Sequence, residues 1–547
     1  MSAKGWIIGS SAAVVAVGAG AATWAAVSFF SSGPDAGEAL PASTVAYVSL
    51  DLNPSGKQKI AALKLANKFP SLRKELGLNS TDDVRRKVVE ELTKGTSCSL
   101  DYAKDVEPWI GSTVALAVVD KTDPKPVVAL EVKEAAKASS EGQALADCVS
   151  KAHDQVAFAV SGSWMVFAEN DDTVHQVMDE AAKHSLADDA DFKKWTSETG
   201  DPGILTAYAA PAAPEALANY IGTMAKGLAG YSLGTADGAL PPTEVVPSMC
   251  PGQSTTDLKD QADALASGAY KDFKGAAATV RFGGSGMELV MAGAPGGADA
   301  GTPSAGVSDL PAKVDLAVGL GMGKSFLTSV MDSLTASCPE QKTKLYESIS
   351  RATGLNAPAD LEALTSQSAQ LVLGSGFRFD TMFGGGDSSD GVPLALRVKG
   401  DPATLMPIAQ KLTATLKKQL GAEMLSMMGL DDVLTPVQGK DSVTVGLSAA
   451  FTQQVAQGGG GLGKDKDFTQ AVPEADKAGR VLYLSHHGLQ QFFSSSSDFE
   501  GSASSDGSSS ESSSSSDSAD TDHLQSAGLS SWLDGSISRG RLLITVK

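Results

Sequence analysis

Basic residues are scarce in this chain. Its 547 residues hold 44 lysines and arginines against 64 aspartates and glutamates, a formal net charge of −20. Nucleic-acid binding draws its affinity from clustered Lys and Arg, so this balance argues against a nucleic-acid partner. Cysteine is nearly absent: Cys98, Cys148, Cys250 and Cys338 are the full set, and no two form a CxxC pair. That excludes zinc-ribbon spacing. Six histidines, His153, His175, His184, His486, His487 and His523, show no ligand spacing. There is no Gly-x-Ser-x-Gly elbow, and no Ser-x-x-Lys with its supporting motifs. No catalytic residue, cofactor site or metal site is assigned from the sequence, and the chain is not read as an enzyme.

What is present begins at the N-terminus. From Trp6 to Phe30 no residue is charged. As a helix this stretch measures about 37 Å, against about 30 Å of hydrocarbon core. Lys4 precedes it and Asp35 and Glu38 follow, which places the N-terminus in the cytoplasm and the rest outside. The expected order is a stub at 1–5, a transmembrane helix at 6–30 and a linker at 31–37. The alternative, a cleaved signal peptide, has a shorter apolar region and a small-x-small cleavage site, whereas this run ends in Phe29-Phe30. Localisation is therefore expected to be the cell membrane, single-pass, with the bulk extracytoplasmic. All four cysteines lie beyond the anchor, and an even number there suits two disulfides with three connectivities open. Four buried free thiols are the competing arrangement.

The remainder reads as two copies of one unit. LPASTVAYVSLDL (40–52) aligns without a gap on LPAKVDLAVGLGM (310–322). DVEPWIGSTVALAVV (105–119) matches DLEALTSQSAQLVLG (360–374), and ALEVK (129–133) matches ALRVK (395–399). LADDADFKKWTSETGDPGILTAYA (186–209) matches LGKDKDFTQAVPEADKAGRVLYLS (462–485), which sets Asp191-Phe192 on Asp467-Phe468 and Gly203 on Gly479. Four matches in the same order define unit 1 at 38–297 and unit 2 at 306–547, with a Gly/Ala/Pro linker at 298–305. Strands and helices without strict alternation favour an α+β fold, each copy a largely antiparallel sheet plus helices. Each unit is expected to close in a hairpin, turning at Gly283-Gly284 and at Arg539-Gly540. Residues 494–522, with seven acids and no base, read as a disordered Ser/Asp-rich loop.

ALPASTVAYVSLDLNPSGKQKIAALKLANKFPSL, DVEPWIG and the N-terminal anchor together resemble an actinobacterial membrane-protein family known only as a domain of unknown function, number thirty-three fifty-two. The resemblance covers most of the chain after the anchor. It implies an envelope placement and supplies no activity, cofactor or catalytic residue.

LAVGLGMGKS (316–325) is the one stretch that resembles a phosphate-binding loop. It fails on spacing, because Val318 stands where the first glycine belongs, and its unit 1 counterpart carries Ser49 and Asp51. A strand leaving the sheet through a permissive turn is expected instead, and no nucleotide. Asp105/Asp360 and Asp191/Asp467 recur in both copies, which argues for structural roles, with Asp-Phe as a helix cap beside a buried ring. His486-His487 are read as lying just past a strand and diverging from each other. FGGGDSSDG (383–391) lacks EF-hand spacing. The expected function is a non-catalytic binding or scaffolding ectodomain for an envelope protein or a lipid-like ligand. The alternatives are an envelope hydrolase with a noncontiguous site, or a passive spacer.

Overall fold

The computed structural model describes residues 35–51, 56–69, 85–86, 89–90, 100–152, 156–220, 270, 273–295, 302–323, 326–335, 341–376, 392–421, 433–501 and 521–547. The apolar stretch 6–30, Cys98, Cys250, Cys338, His153, Lys324-Ser325 and 383–391 lie outside these residues, as does 502–520 of the Ser-rich tract. Among the described residues no helix is long and apolar enough to cross a membrane. The chain forms two compact units, one ending at Ala294 and the other beginning at Pro295.

The fold is α+β and its strand pairing is antiparallel. Unit 1 holds β1 (Thr44–Asp51), β2 (Ile110–Val119), β3 (Lys125–Val132), β4 (Ala157–Ser161), β5 (Trp164–Ala168), β6 (Leu205–Ala209), β7 (Ala276–Gly283) and β8 (Gly286–Gly293). Their order in the sheet is β8-β7-β6-β1-β2-β3-β5-β4. Unit 2 holds β9 (Val314–Gly321), β10 (Ser368–Gly374), β11 (Leu394–Lys399), β12 (Val437–Gln438), β13 (Ser442–Gly446), β14 (Arg480–Leu484), β15 (Leu524–Asp534) and β16 (Ile537–Val546). Their order is β16-β15-β14-β9-β10-β11-β13-β12. Adding eight to every strand number of unit 1 gives the order of unit 2.

The helices of unit 1 include α1 (Gly56–Ala66), α2 (Ala135–Ala152), α3 (Asp171–Lys183) and α4 (Ala190–Glu198). Those of unit 2 include α5 (Phe326–Leu334), α6 (Gln341–Thr353), α7 (Ala359–Leu364), α8 (Pro402–Leu420), α9 (Ala449–Gln457), α10 (Lys466–Ala471) and α11 (His486–Gly501). The last begins at His486 and reaches into the tract read from sequence as a loop from 494 onward.

Strand alternation sets the layering. β2 and β9 bury every second residue over most of their length, as strands packed on one face do. In unit 2 that face carries Val314, Ala317, Val372, Val481 and Tyr483, covered by Phe451 and Val455 of α9 and Phe468 and Ala471 of α10. The opposite face is apolar too, with Leu405 and Ala409 of α8 packing near Val398 and Val445.

Register refines the sequence matches. Tyr47 pairs with Ala117 and Ala317 with Val372, so the ungapped alignments around β1/β9 and β2/β10 agree with the pairing. The fourth match slips by one between helix and strand. Asp51 N–H donates to Ile204 O, whereas its counterpart Gly321 donates to Gly479 O, so Gly479 stands opposite Ile204 and not Gly203. Tyr208 is likewise the partner of Tyr483, each facing the central strand at the same step.

Two turn assignments are corrected. Gly283 pairs with Gly286, leaving Gly284-Ser285 as the first hairpin loop. Asp534 pairs with Ile537, so the second loop is Gly535-Ser536, where Gly535 takes a left-handed φ of 62°. Arg539 and Gly540 sit inside β16, opposite Trp532 and Ser531. The linker also shortens. Ala305 and Val307 are fully buried in unit 2, Ala305 N–H donating to Ala478 O at 2.8 Å. Ala305 and Val307 are part of that core.

Candidate functional site

The glycine-rich stretch resolves into β9. A side chain on Gly319 would strike Val307 and Ala305, and one on Gly321 would strike the carbonyl of Pro303. These glycines admit the 302–307 segment onto the sheet, a close-approach role that uses the missing Cβ. Cys148 lies buried on α2 and is disulfide-bonded. His175 lies within α3 and His184 is its C-cap. Among the described residues no group of three or more His, Cys, Asp or Glu is placed to hold a metal.

The recurrent aspartates have local roles. Asp105 Oδ2 accepts Asp101 N–H at 2.8 Å, and Asp360 Oδ2 accepts Asn356 N–H at 2.9 Å. The helix caps fall two residues before the Asp-Phe pairs. Asp189 Oδ1 accepts Phe192 N–H at 2.8 Å at the start of α4, and Asp465 Oδ1 accepts Asp467 and Phe468 N–H at 2.9 and 3.0 Å at the start of α10. Asp191 and Asp467 are thus left in the first turn, where a carboxylate meets the positive end of the helix. Asp467 accepts from Gln525 Nε2 at 2.6 Å. Asp191 makes no hydrogen bond or ion pair among the described residues.

Around Asp191 lies a pocket of about 510 Å³ at one end of the unit 1 sheet. Its floor comes from Val45 of β1, Val119 of β2 and Val177 of α3, all at most 5% exposed. α3 is held there by local signals. Asn170 caps it through Thr173 N–H at 2.8 Å, Asp171 and Asp172 occupy its first turn, and Lys183 its last. Asp189 and Asp191 enter from the start of α4, and Ala210, Pro211 and Ala212 from the residues after β6.

The rim is acidic: Asp120, Glu180, Asp189 and Asp191. Two lysines also line it, and both are engaged elsewhere. Lys121 pairs with Glu215 at 3.2 Å and Lys125 with Asp123 at 3.8 Å. Tyr208 is 4% exposed, yet its hydroxyl has no hydrogen-bond partner among the described residues and reaches the pocket. Burial, and then the charges of Asp189 and Asp191, push this phenol well above the usual tyrosine range. It stays protonated as a donor.

Unit 2 fills the same place with polar side chains. Ala210 N–H donates to Val45 O at 2.9 Å, and Ser485 N–H donates to Asp315 O at 3.0 Å, which makes Val45/Asp315, Ala210/Ser485 and Ala212/His487 structural counterparts. Asp315 is 3% exposed. It accepts from Ser485 Oγ at 2.8 Å and from Gly376 N–H at 3.1 Å, and lies 2.8 Å from His487 Nδ1. The two histidines, read from sequence as lying just past a strand, follow β14 and open α11. They still diverge, because His486 Nε2 lies 2.9 Å from Lys547 Nζ. Sequence reading missed Asp315, a charged residue inside an apolar strand. The buried acid within VDLAVGLG was the available signal.

Residues 8–229 match the family described as "Protein of unknown function (DUF3352)". The match takes in most of the apolar N-terminal stretch and much of unit 1, a shorter span than the resemblance implied. Neither a curated protein nor a solved structure matches the chain.

Proposed function

We propose that this chain, which carries the DUF3352 family pattern over residues 8–229, is a membrane-anchored extracytoplasmic binding protein whose first unit holds the ligand site. The observation that carries the reading is Tyr208, a buried residue whose hydroxyl has no hydrogen-bond partner among the described residues and which lines a pocket between sheet and helices. That hydroxyl can donate to a ligand acceptor and accept from a ligand donor. The volume suits a small ligand, since such sites run to about 300–1,000 Å³. The anchor is supported by the uncharged run 6–30, most of which the family match includes. The acidic rim favours a charged ligand over the purely lipid-like one expected from the sequence.

The test is retention of ligand by full-length protein purified from membranes in mild detergent, with Ala212→Trp as the filled-pocket control. A molecule retained by the wild type and missing from A212W supports the reading, and equal or no retention overturns it. Tags at both ends, followed by immunoblotting of the membrane fraction, test the anchor. Loss of the N-terminal tag from the mature protein removes it.

A hydrolase reading is favoured by one feature, the Asp315–His487 pair, which orients an imidazole 40% exposed on its side chain. Ser485 Oγ bonds to Asp315, not to the far nitrogen of His487, so a serine triad is not assembled. Hydrolysis of an ester panel that vanishes in His487→Ala would establish this alternative.

A further inference from the structure

We infer that the occupant of the unit 1 pocket is an organic cation, an alkylammonium group on an apolar body, held by Asp189, Asp191 and the hydroxyl of Tyr208. This deepens the binding reading and rests on it. Four carboxylates line the space against two lysines, and each lysine pairs with a carboxylate outside it, Lys121 with Glu215 and Lys125 with Asp123. The lining therefore carries more acid than base, and an anion would meet net repulsion.

An acidic rim alone is common on a protein of net charge −20. The second observation is Tyr208, more than nine-tenths buried, without a hydrogen-bond partner among the described residues and lining the same space. Its oxygen has lone pairs for an ammonium donor, and its proton can serve a carboxylate or a second ligand group. Asp191 makes no hydrogen bond or ion pair among the described residues, which leaves its carboxylate open to a ligand. Val45, Val119 and Val177 beneath the rim suit the methylenes of the ligand. Unit 2 holds Asp315, Ser485 and His487 at the matching positions, and these satisfy one another. The inference is therefore specific to unit 1.

The chemistry arises either in a free amine or in a lysine side chain of a peptide. Isothermal titration of the full-length protein in detergent at low salt distinguishes them. The probes are 1,5-diaminopentane, Nα-acetyl-lysine methylamide, its Nε-acetylated neutral form, and glutarate. Either amine is expected to bind, the tighter one identifying the source, with no binding of the neutral form or glutarate. Asp191→Asn should weaken the amine about tenfold or more, since hydrogen bonds to charged groups contribute about 1.5–3 kcal/mol. Tyr208→Phe should weaken it less, and A212W should abolish it. Equal binding of the neutral probe, preference for glutarate, failure of both amines to bind, or indifference to Asp191→Asn overturns the inference. If ligand retention in the membrane-purified protein depends on an open pocket while these amines fail, the cation assignment falls alone. If retention fails too, the binding reading falls with it.

Discussion

The rings of Phe192 and Tyr208 meet edge-on, with centroids 5.2 Å apart and planes at 86°. Phe192 makes a second edge contact with Tyr47 at 5.4 Å, so one ring ties α4 to both β1 and β6. Unit 2 repeats half of this: Phe468 meets Tyr483 at 5.1 Å, and Ala317 stands where Tyr47 would be. The packing around Tyr208 is thus part of the common fold, while the matching positions of unit 2 in front of Tyr483 carry Asp315, Ser485 and His487.

Phe192→Ala and Phe468→Ala should each destabilise their own unit by about 3–5 kcal/mol, the usual loss for a buried phenylalanine. Phe192→Ala should cost more by about 0.5–1.5 kcal/mol, because it breaks a second aromatic pair. Urea unfolding followed by tryptophan fluorescence checks the order. Equal losses would show that the Tyr47 contact contributes nothing.

The glycines of β9 separate by what obstructs them. Gly321→Ala drives a methyl into the Pro303 carbonyl, a backbone atom, whereas Gly319→Ala meets the side chains of Val307 and Ala305. Overpacking costs about 1–3 kcal/mol and more where backbone must move, so Gly321→Ala should be the more destabilising. Thermal unfolding of both variants settles this, and the reverse order would contradict the packing account.

Arg397 is 1% exposed, with Nε donating to Gln370 Oε1 at 2.8 Å and Nη2 to Gly306 O at 3.2 Å. Burial lowers its pKa, opposed by Asp309 and Asp441. Gln370→Leu leaves the guanidinium Nε without its acceptor and should cost about 1.5–3 kcal/mol. Arg397→Met/Gln370→Leu together should cost less than the sum of the single changes, because the double variant strands neither partner. Denaturant titrations of the four proteins give the coupling, and strict additivity would refute it.

His486 has its pKa held below the ordinary histidine value near 6.5, by burial first and then by the ammonium of Lys547. The folded state therefore binds this proton less readily than the unfolded chain. The associated stability is present above about pH 6.5 and is lost as pH falls through the lowered folded value. His486→Gln should flatten the acid side of the stability profile of unit 2. An unchanged slope between pH 7 and 5 would exclude His486 as its source.

Much of the framework was legible along the chain. The Leu-Pro-Ala openings, the alternating strands β1 and β9 and the paired Asp105 and Asp360 are local signals, set by side-chain period and by hydrogen bonds across four residues. Boundaries were less legible. The one-residue slip at Gly479 and the displaced turn at Gly535-Ser536 arise because cross-strand pairing fixes register, and an ungapped alignment carries no information about pairing. The caps at Asp189 and Asp465 were displaced for a related reason, since several acids lie close together and only backbone geometry selects the one that caps.

By itself the sequence determined the acidity of the chain, its uncharged N-terminal run, the recurrence of one pattern and the absence of any contiguous catalytic motif, all properties of residue identity and spacing. Tertiary structure decided which acids face an open pocket and which are consumed by neighbours. Asp191 and Asp467 occupy matching positions, yet Asp467 is taken by Gln525, a residue 58 positions away. Val45 and Asp315 sit on matching strands, yet one floors a cavity and the other is enclosed by Ser485, His487 and the amide of Gly376. Partners so distant in the chain are chosen only when the sheet closes, because hydrogen bonds act over about 3 Å of space whatever the separation in sequence.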